Sequence, residues 1–116
     1  MISSHLRFPK SYRLRSKADF SSIRKGKRIR VGNLRIVYRS NKLEHCRLGL
    51  AVSRKYGNAV QRNRLKRQLR NTFRISECHT MGVDMLIIPA CNADQMRSAA
   101  NDLMRAIDSI QRRLKS

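Results

Sequence analysis

Acidic residues are scarce. The 116-residue chain has 7 of them against 27 lysines and arginines. They are also scattered, at Asp19, Glu44, Glu77, Asp84, Asp94, Asp102 and Asp108. Such a set cannot supply the carboxylate cluster of a two-metal nuclease. Cysteine is limited to Cys46, Cys78 and Cys91. An odd, widely spaced set with no Cys-x-x-Cys pair gives no disulfide framework, and its spacing, even with His79 added, fits no structural zinc site. It reads as free thiols in a reducing cytoplasm. No apolar run follows the first charges as in a signal peptide, and none approaches a membrane span. Internal repeats and low-complexity tracts are absent. His5, His45 and His79 fall in segments read as arm or loop, outside any acid–base constellation. The expectation is a chain with no catalytic side chain and no metal site of its own.

What is present is positive charge, a formal +20. Charges this dense repel one another and oppose compaction. A polyanion relieves that repulsion and releases its own condensed counterions on binding. Nucleic acid is the leading partner, and an anionic membrane surface is the rival. The distribution sharpens this. No acid lies between Asp19 and Glu44, nor between Glu44 and Glu77, while four of the seven lie from Asp84 onward. The first two-thirds therefore face the polyanion, and the last third reads as scaffold. With 41% hydrophobic residues, the chain can form one domain with a true core.

Along the chain, residues 1–15 read as an extended basic arm. Ser16 caps a short helix with Asp19 at its third position, carrying Phe20 and Ile23 and stopping at Gly26. Strands are expected at 29–31 and 34–40, the second alternating Leu34, Ile36 and Tyr38 with Arg35, Val37 and Arg39. A third covers 47–53. Leu48, Leu50 and Val52 share one of its faces; Gly49, Ala51 and Ser53 share the other, where small side chains allow close approach. Asn58 caps a helix reaching about residue 75, with Gln61 completing the box. A strand over 83–88 follows. The last helix is expected to start near Asn92 or Asp94, with the stripe Met96, Ala99, Ala100, Leu103, Ile107, Ile110 and Leu114. The order α-β-β-β-α-β-α implies a two-layer α/β (α+β) sandwich.

The strongest chemical signal is the segment from Arg54 to Arg74. Arg54, Lys55, Arg62, Arg64, Lys66, Arg67, Arg70 and Arg74 surround Gly57-Asn58-Ala59-Val60 with no acid among them. One side of this helix must pack; the other presents guanidinium forks that match phosphate oxygens and stack on bases. A merely solvated basic helix would instead carry acids for intrahelical pairs.

The run Arg62-Asn63-Arg64-Leu65-Lys66-Arg67, after Gly57-Asn58-Ala59-Val60 and before Leu69-Arg70 and Phe73-Arg74, resembles the signature of the bacterial ribonuclease P protein family. The resemblance covers nearly the whole chain in order. Phe8-Pro9-Lys10 with Arg13-Leu14-Arg15 is similar to that family's arm, and Ala18-Asp19-Phe20 to its first helix. Leu48 to Lys55 is similar to the strand before the signature helix, and Val83 to Pro89 to the last strand.

The resemblance implies a fold similar to a domain of a small-subunit ribosomal protein, with a left-handed crossover where the usual rule gives the opposite hand. It implies a subunit of an RNA-based endonuclease that removes the 5′ leader of precursor tRNA, with catalysis carried by the RNA. Mg²⁺ would be held chiefly by that RNA. The implied partners are the RNA subunit and precursor tRNA, with no membrane and no obligate protein partner. By position, Arg54, Lys55, Arg62, Asn63, Arg64, Lys66, Arg67 and Arg70 would contact the RNA subunit. Phe20, Ile36, Tyr38 and Ala51 would line a cleft for the leader. Many relatives carry a second aromatic where this chain has Arg24, which can serve instead by cation–π and phosphate contact. Aromatic faces stack on unpaired bases with little sequence preference, which suits a subunit serving many precursors. For Phe20 and Tyr38 the alternative is a place in the core; the Tyr38 hydroxyl wants a partner, which favours the groove. Outside this reading, the alternative is a general RNA-binding module such as a ribosomal protein or RNA chaperone. A protein-only ribonuclease and a nucleoid DNA-binding protein are further rivals.

Overall fold

The structure, a computed structural model, describes residues 13–14, 16–76 and 81–115. Its elements are α1 (Lys17–Ile23), β1 (Lys27–Val31), β2 (Leu34–Ser40), β3 (Arg47–Leu50), α2 (Ala59–Ile75), β4 (Val83–Pro89) and α3 (Ala99–Lys115). This is the expected order.

Two helix starts form as their sequences dictate. At α1 the Ser16 hydroxyl accepts from the Asp19 amide at 3.0 Å, and the Asp19 carboxylate accepts from the Ser16 amide at 3.3 Å. At α2 the Asn58 and Gln61 side chains satisfy each other's backbone N–H groups at 2.8 and 2.9 Å. Each box pairs donors that a helix start leaves orphaned. The last helix departs from expectation. Asn92 and Gln95 do form a reciprocal box, but it closes only a turn. Residues 96–98 are not helical, and α3 begins at Ala99, where Ser98 Oγ accepts from the Asn101 amide at 3.3 Å. Met96 still packs on the core, but from the loop.

The four strands lie in the order β1-β2-β4-β3. β1 and β2 form an antiparallel hairpin, β2 pairs antiparallel with β4, and β3 runs parallel to β4. The parallel pair is joined through α2, as parallel neighbours require. The hairpin turns at Gly32, whose φ of +57° suits glycine. A Cβ there would also sit 2.2 Å from the Asp102 carboxylate, which accepts from the Asn33 amide at 2.9 Å and ties α3 to the hairpin.

Strand alternation sends side chains to opposite faces. One face carries Ile29, Val31, Leu34, Ile36, Tyr38, Leu48, Val83, Met85 and Ile87. It packs on Leu65, Leu69 and Phe73 of α2 and on Leu103, Ala106, Ile107 and Ile110 of α3. This is the main core, a sheet layer against a helix layer. The other face is only partly covered. There Leu14, Ile23, Val37 and Leu86 form a small second core, with Phe20 and Ile88 at its margin.

Candidate nucleic-acid interface

At 3.6 residues per turn, Leu65, Leu69, Thr72 and Phe73 form the buried stripe of α2. The charged residues divide around it. Arg62, Lys66 and Arg70 recur every fourth position along one flank and are half-buried. Asn63 and Arg67 are exposed on the back, and Arg64 is exposed on the other flank. Arg54 and Lys55 are exposed in the preceding loop. All eight residues expected to meet an RNA subunit thus lie on α2 or just before it, none facing into the core. Burial holds the Arg70 guanidinium below its ordinary range, and the charge of Arg13 adds to that. Two cations so placed repel each other, and an anion between them would remove the strain.

Arg13 is near because the arm is anchored. Leu14 donates its amide to the Leu48 carbonyl at 3.0 Å, beside a parallel bridge between Arg13 and Leu48. Leu14 is buried under α1. A pocket of about 130 Å³ opens there, lined by Arg13, Leu14, Phe20, Gly49, Lys66 and Arg70. The absent side chain of Gly49 permits it: a Cβ would stand 3.0 Å from Leu14 Cδ1 and 3.2 Å from Phe20 Cε1. The close approach expected at the small-residue face of β3 is therefore made by Leu14 and the Phe20 ring. Phe20 is half-buried, with one side on the sheet.

The cleft differs from expectation in its other members. Ile36 and Tyr38 do not face Phe20. They are 0% and 3% exposed in the main core on the opposite face of the sheet. The physical reason lies in β2 itself. Leu34, Ile36 and Tyr38 form a wholly apolar-bodied row, which the two long helices cover, while Arg35, Val37 and Arg39 form a row with two charges that cannot be buried there. Hydroxyl satisfaction was the wrong criterion, because Tyr38 Oη is buried with no hydrogen-bond partner among the described residues. The side chains on the Phe20 face are Val37, Leu86 and Ile88, with Arg35 beside them. The arginine–apolar alternation of β2 was the signal that could have found Val37 and Arg35. Ala51 is exposed at the end of β3, where its amide continues the ladder to the Ile87 carbonyl at 2.9 Å. Arg24 is exposed at the C-cap of α1, and its carbonyl accepts from Arg28 at 3.4 Å.

A partly buried ion-pair network positions α1 over this face. Arg47 grips Asp84 with Nε to Oδ1 at 2.8 Å and Nη2 to Oδ2 at 2.7 Å, and its Nη1 reaches Asp19 at 3.3 Å. Asn41 adds a donor to Asp84 at 2.8 Å. The Asp84 carboxylate raises the Arg47 pKa above its ordinary value despite partial burial. Arg39 donates to the Ser22 carbonyl at 2.9 Å on the same side. Asp19 thus both caps α1 and fastens it to the sheet.

Phe8-Pro9-Lys10, His5, Cys78 and His79 lie outside the described residues. Cys46 is buried and Cys91 half-buried. Among the described residues no three His, Cys, Asp or Glu side chains group so as to hold a metal ion. No helix there is long and apolar enough to cross a membrane.

A family model for ribonuclease P matches residues 8–115. The ribonuclease P protein component of Staphylococcus aureus is 37% identical over 89 residues, covering 75% of this chain and 77% of that protein. Among solved structures, the Staphylococcus aureus RNase P protein superposes with a TM-score of 0.77 at 33% identity, covering 87% of this chain and 96% of that one. The RNase P protein from Thermotoga maritima gives 0.72 at 30% identity, covering 82% and 94%.

Proposed function

The chain belongs to the ribonuclease P protein family, and on that premise we propose that it is the cytoplasmic protein subunit of an RNA-based endoribonuclease removing the 5′ leader of precursor tRNA. One observation carries the reading. α2 holds six cations, Arg62, Arg64, Lys66, Arg67, Arg70 and Arg74, at exposed or half-buried positions, and it stands beside a groove with an aromatic wall and an apolar floor. The two surfaces adjoin at Lys66 and Arg70.

In this reading the back of α2 docks on the RNA subunit through Arg67 and Asn63, with Arg64, Arg54 and Lys55 around it. The guanidinium groups bind phosphates bidentately and position the protein without reading sequence. The single-stranded leader enters between α1 and the sheet. Phe20, seated with Leu14 over Gly49, stacks on a base, Ala51 leaves room at the end of β3, and Val37 and Ile88 form the floor. Lys66 and Arg70 neutralise the leader phosphates. Mature tRNA has no leader, so the groove favours precursor over product. Mg²⁺ held by the RNA supplies the chemistry of the attacking water; the protein lowers the concentration needed by screening phosphate repulsion.

The test is precursor cleavage at low Mg²⁺ with RNA subunit alone, protein alone and both. Cleavage at the mature 5′ end that needs the RNA and is boosted by the protein supports the proposal. No boost, with RNA binding intact, points to a general RNA-binding module. Cleavage by protein alone would overturn the assignment of catalysis to RNA.

A further inference from the structure

The face of the sheet that carries the groove does not end at Val37. Strand register continues it onto the hairpin. Arg30 lies opposite Arg35, Arg28 lies opposite Val37, and Arg35 in turn lies opposite Ile88 of β4. Arg28, Arg30 and Arg35 are all exposed. With Val37 and Ile88 they line an open pocket of about 410 Å³. α1 covers the other end of this face, where Asp19 and Asp84 already hold Arg47.

Two features of this pocket are costly for the protein alone. Like charges directly opposite on neighbouring strands destabilise a sheet, and Arg30 and Arg35 are such a pair. Among the described residues no carboxylate forms an ion pair with any of the three arginines. Arg28 and Arg30 reach only the backbone carbonyls of Arg24 and Gly32, at 3.4 Å each. Meanwhile the Val37 and Ile88 side chains leave an apolar floor between them. A floor of aliphatic groups ringed by unpaired guanidinium groups is complementary to a nucleotide: phosphate to the forks, base to the floor and to guanidinium planes.

We infer that the hairpin is a second binding subsite for single-stranded RNA, an arginine clamp composed of Arg28, Arg30 and Arg35 over Val37 and Ile88. It continues the leader track beyond Phe20. The inference rests on the proposed leader groove. On the proposed reading the RNA subunit docks at α2, beside the Phe20 end of the track, so the clamp, three strand spacings or about 14 Å from β3, takes the leader nucleotides farther from the cleavage site than those at Phe20. It stacks them by arginine rather than by aromatic rings, in a chain that carries Arg24 in place of a second α1 aromatic.

The experiment uses holoenzyme reconstituted with the RNA subunit of the same organism. Binding is compared for precursors with leaders of about two and about ten nucleotides, the longer lying within the span of a single-strand groove. Arg30→Ala/Arg35→Ala should weaken the long-leader precursor on the order of ten-fold and leave the short-leader one unchanged. For the long leader the salt slope should fall by about 1.4, the single-strand value for two phosphates. The melting temperature of the free variant should hold or rise, since a repulsive pair is removed. Equal weakening of both precursors, or of neither, overturns the clamp. Phe20→Ala run in parallel separates the two levels. If it lowers long-leader affinity while the arginine variant does not, only the clamp fails. If it too has no effect, the leader groove itself fails.

Discussion

Replacing Tyr38 by phenylalanine should make the protein more stable. Tyr38 is 3% exposed, and its hydroxyl is buried with no hydrogen-bond partner among the described residues. A buried hydroxyl without a partner costs about 1–3 kcal/mol of desolvation. Tyr38→Phe removes that cost and keeps the ring in the main core, where Tyr38 lies opposite Met85. The space left by one oxygen costs a little packing in return, so the expected gain is about 1–2 kcal/mol. For a chain of this length that corresponds to a rise of about 4–8 °C in melting temperature, read by circular dichroism or calorimetry in sulfate-containing buffer. Leader affinity should not change, because the ring points away from Phe20. Tyr38→Ala, by contrast, should cost about 3–5 kcal/mol as a core truncation and lower binding of every RNA alike. A drop in melting temperature for Tyr38→Phe would show that the hydroxyl is bonded after all. A selective loss of leader affinity would return Tyr38 to the groove and refute the face assignment of β2.

Asp84→Asn keeps the oxygen that accepts from Asn41 and Arg47 Nε but loses the acceptor of Arg47 Nη2, leaving Asp19 as the carboxylate facing Arg47. Breaking a fully buried pair costs about 3–5 kcal/mol; with Arg47 nearly a quarter exposed, about 2–4 kcal/mol is expected in denaturant titration, and a loss under 1 would mean the pair is merely tolerated. Gly49→Val forces Leu14 and Phe20 off β3. Its expected cost is about 1–3 kcal/mol, together with weaker binding of leader-bearing precursor; full leader affinity would separate Phe20 from the groove. Arg64→Ala and Arg67→Ala should each weaken binding to the RNA subunit and flatten its salt dependence by roughly one unit per lost phosphate contact, and an unchanged slope would remove that residue from the docking surface.

Local rules were legible where the partners are neighbours in sequence. The boxes at Ser16–Asp19 and Asn58–Gln61, the stripe of α2 and the small-residue face of β3 all follow from spacings of two to four residues. The Asn92–Gln95 box has the same local pattern yet starts no helix, because Ser98 caps the longer stripe that α3 buries. The β2 alternation was also legible, but its polarity was not. Either row could face the helices until the register of β4 set Val83, Met85 and Ile87 beside Leu34, Ile36 and Tyr38. Arg47–Asp84 lay beyond reach, since nothing local in the sequence joins residues that meet only through the parallel pairing of β3 and β4. Arg30 facing Arg35 became visible only with the hairpin register, which Gly32 and Asn33 set.

The central place of β4 has a consequence for how the protein comes into being. Ile88, which with Val37 floors the proposed groove, is synthesised long after Phe20, which forms its wall. β2 and β3 have no sheet contact with each other until β4 lies between them. Chains emerge from the ribosome N-terminus first, at about 5–20 residues per second. For about 1–3 seconds the emerging chain thus displays 22 of its 27 lysines and arginines before β4 is complete. On the proposed reading, RNA could be held during that interval only by charge, and selective grip would begin when the strand bearing Asp84 slides into the gap.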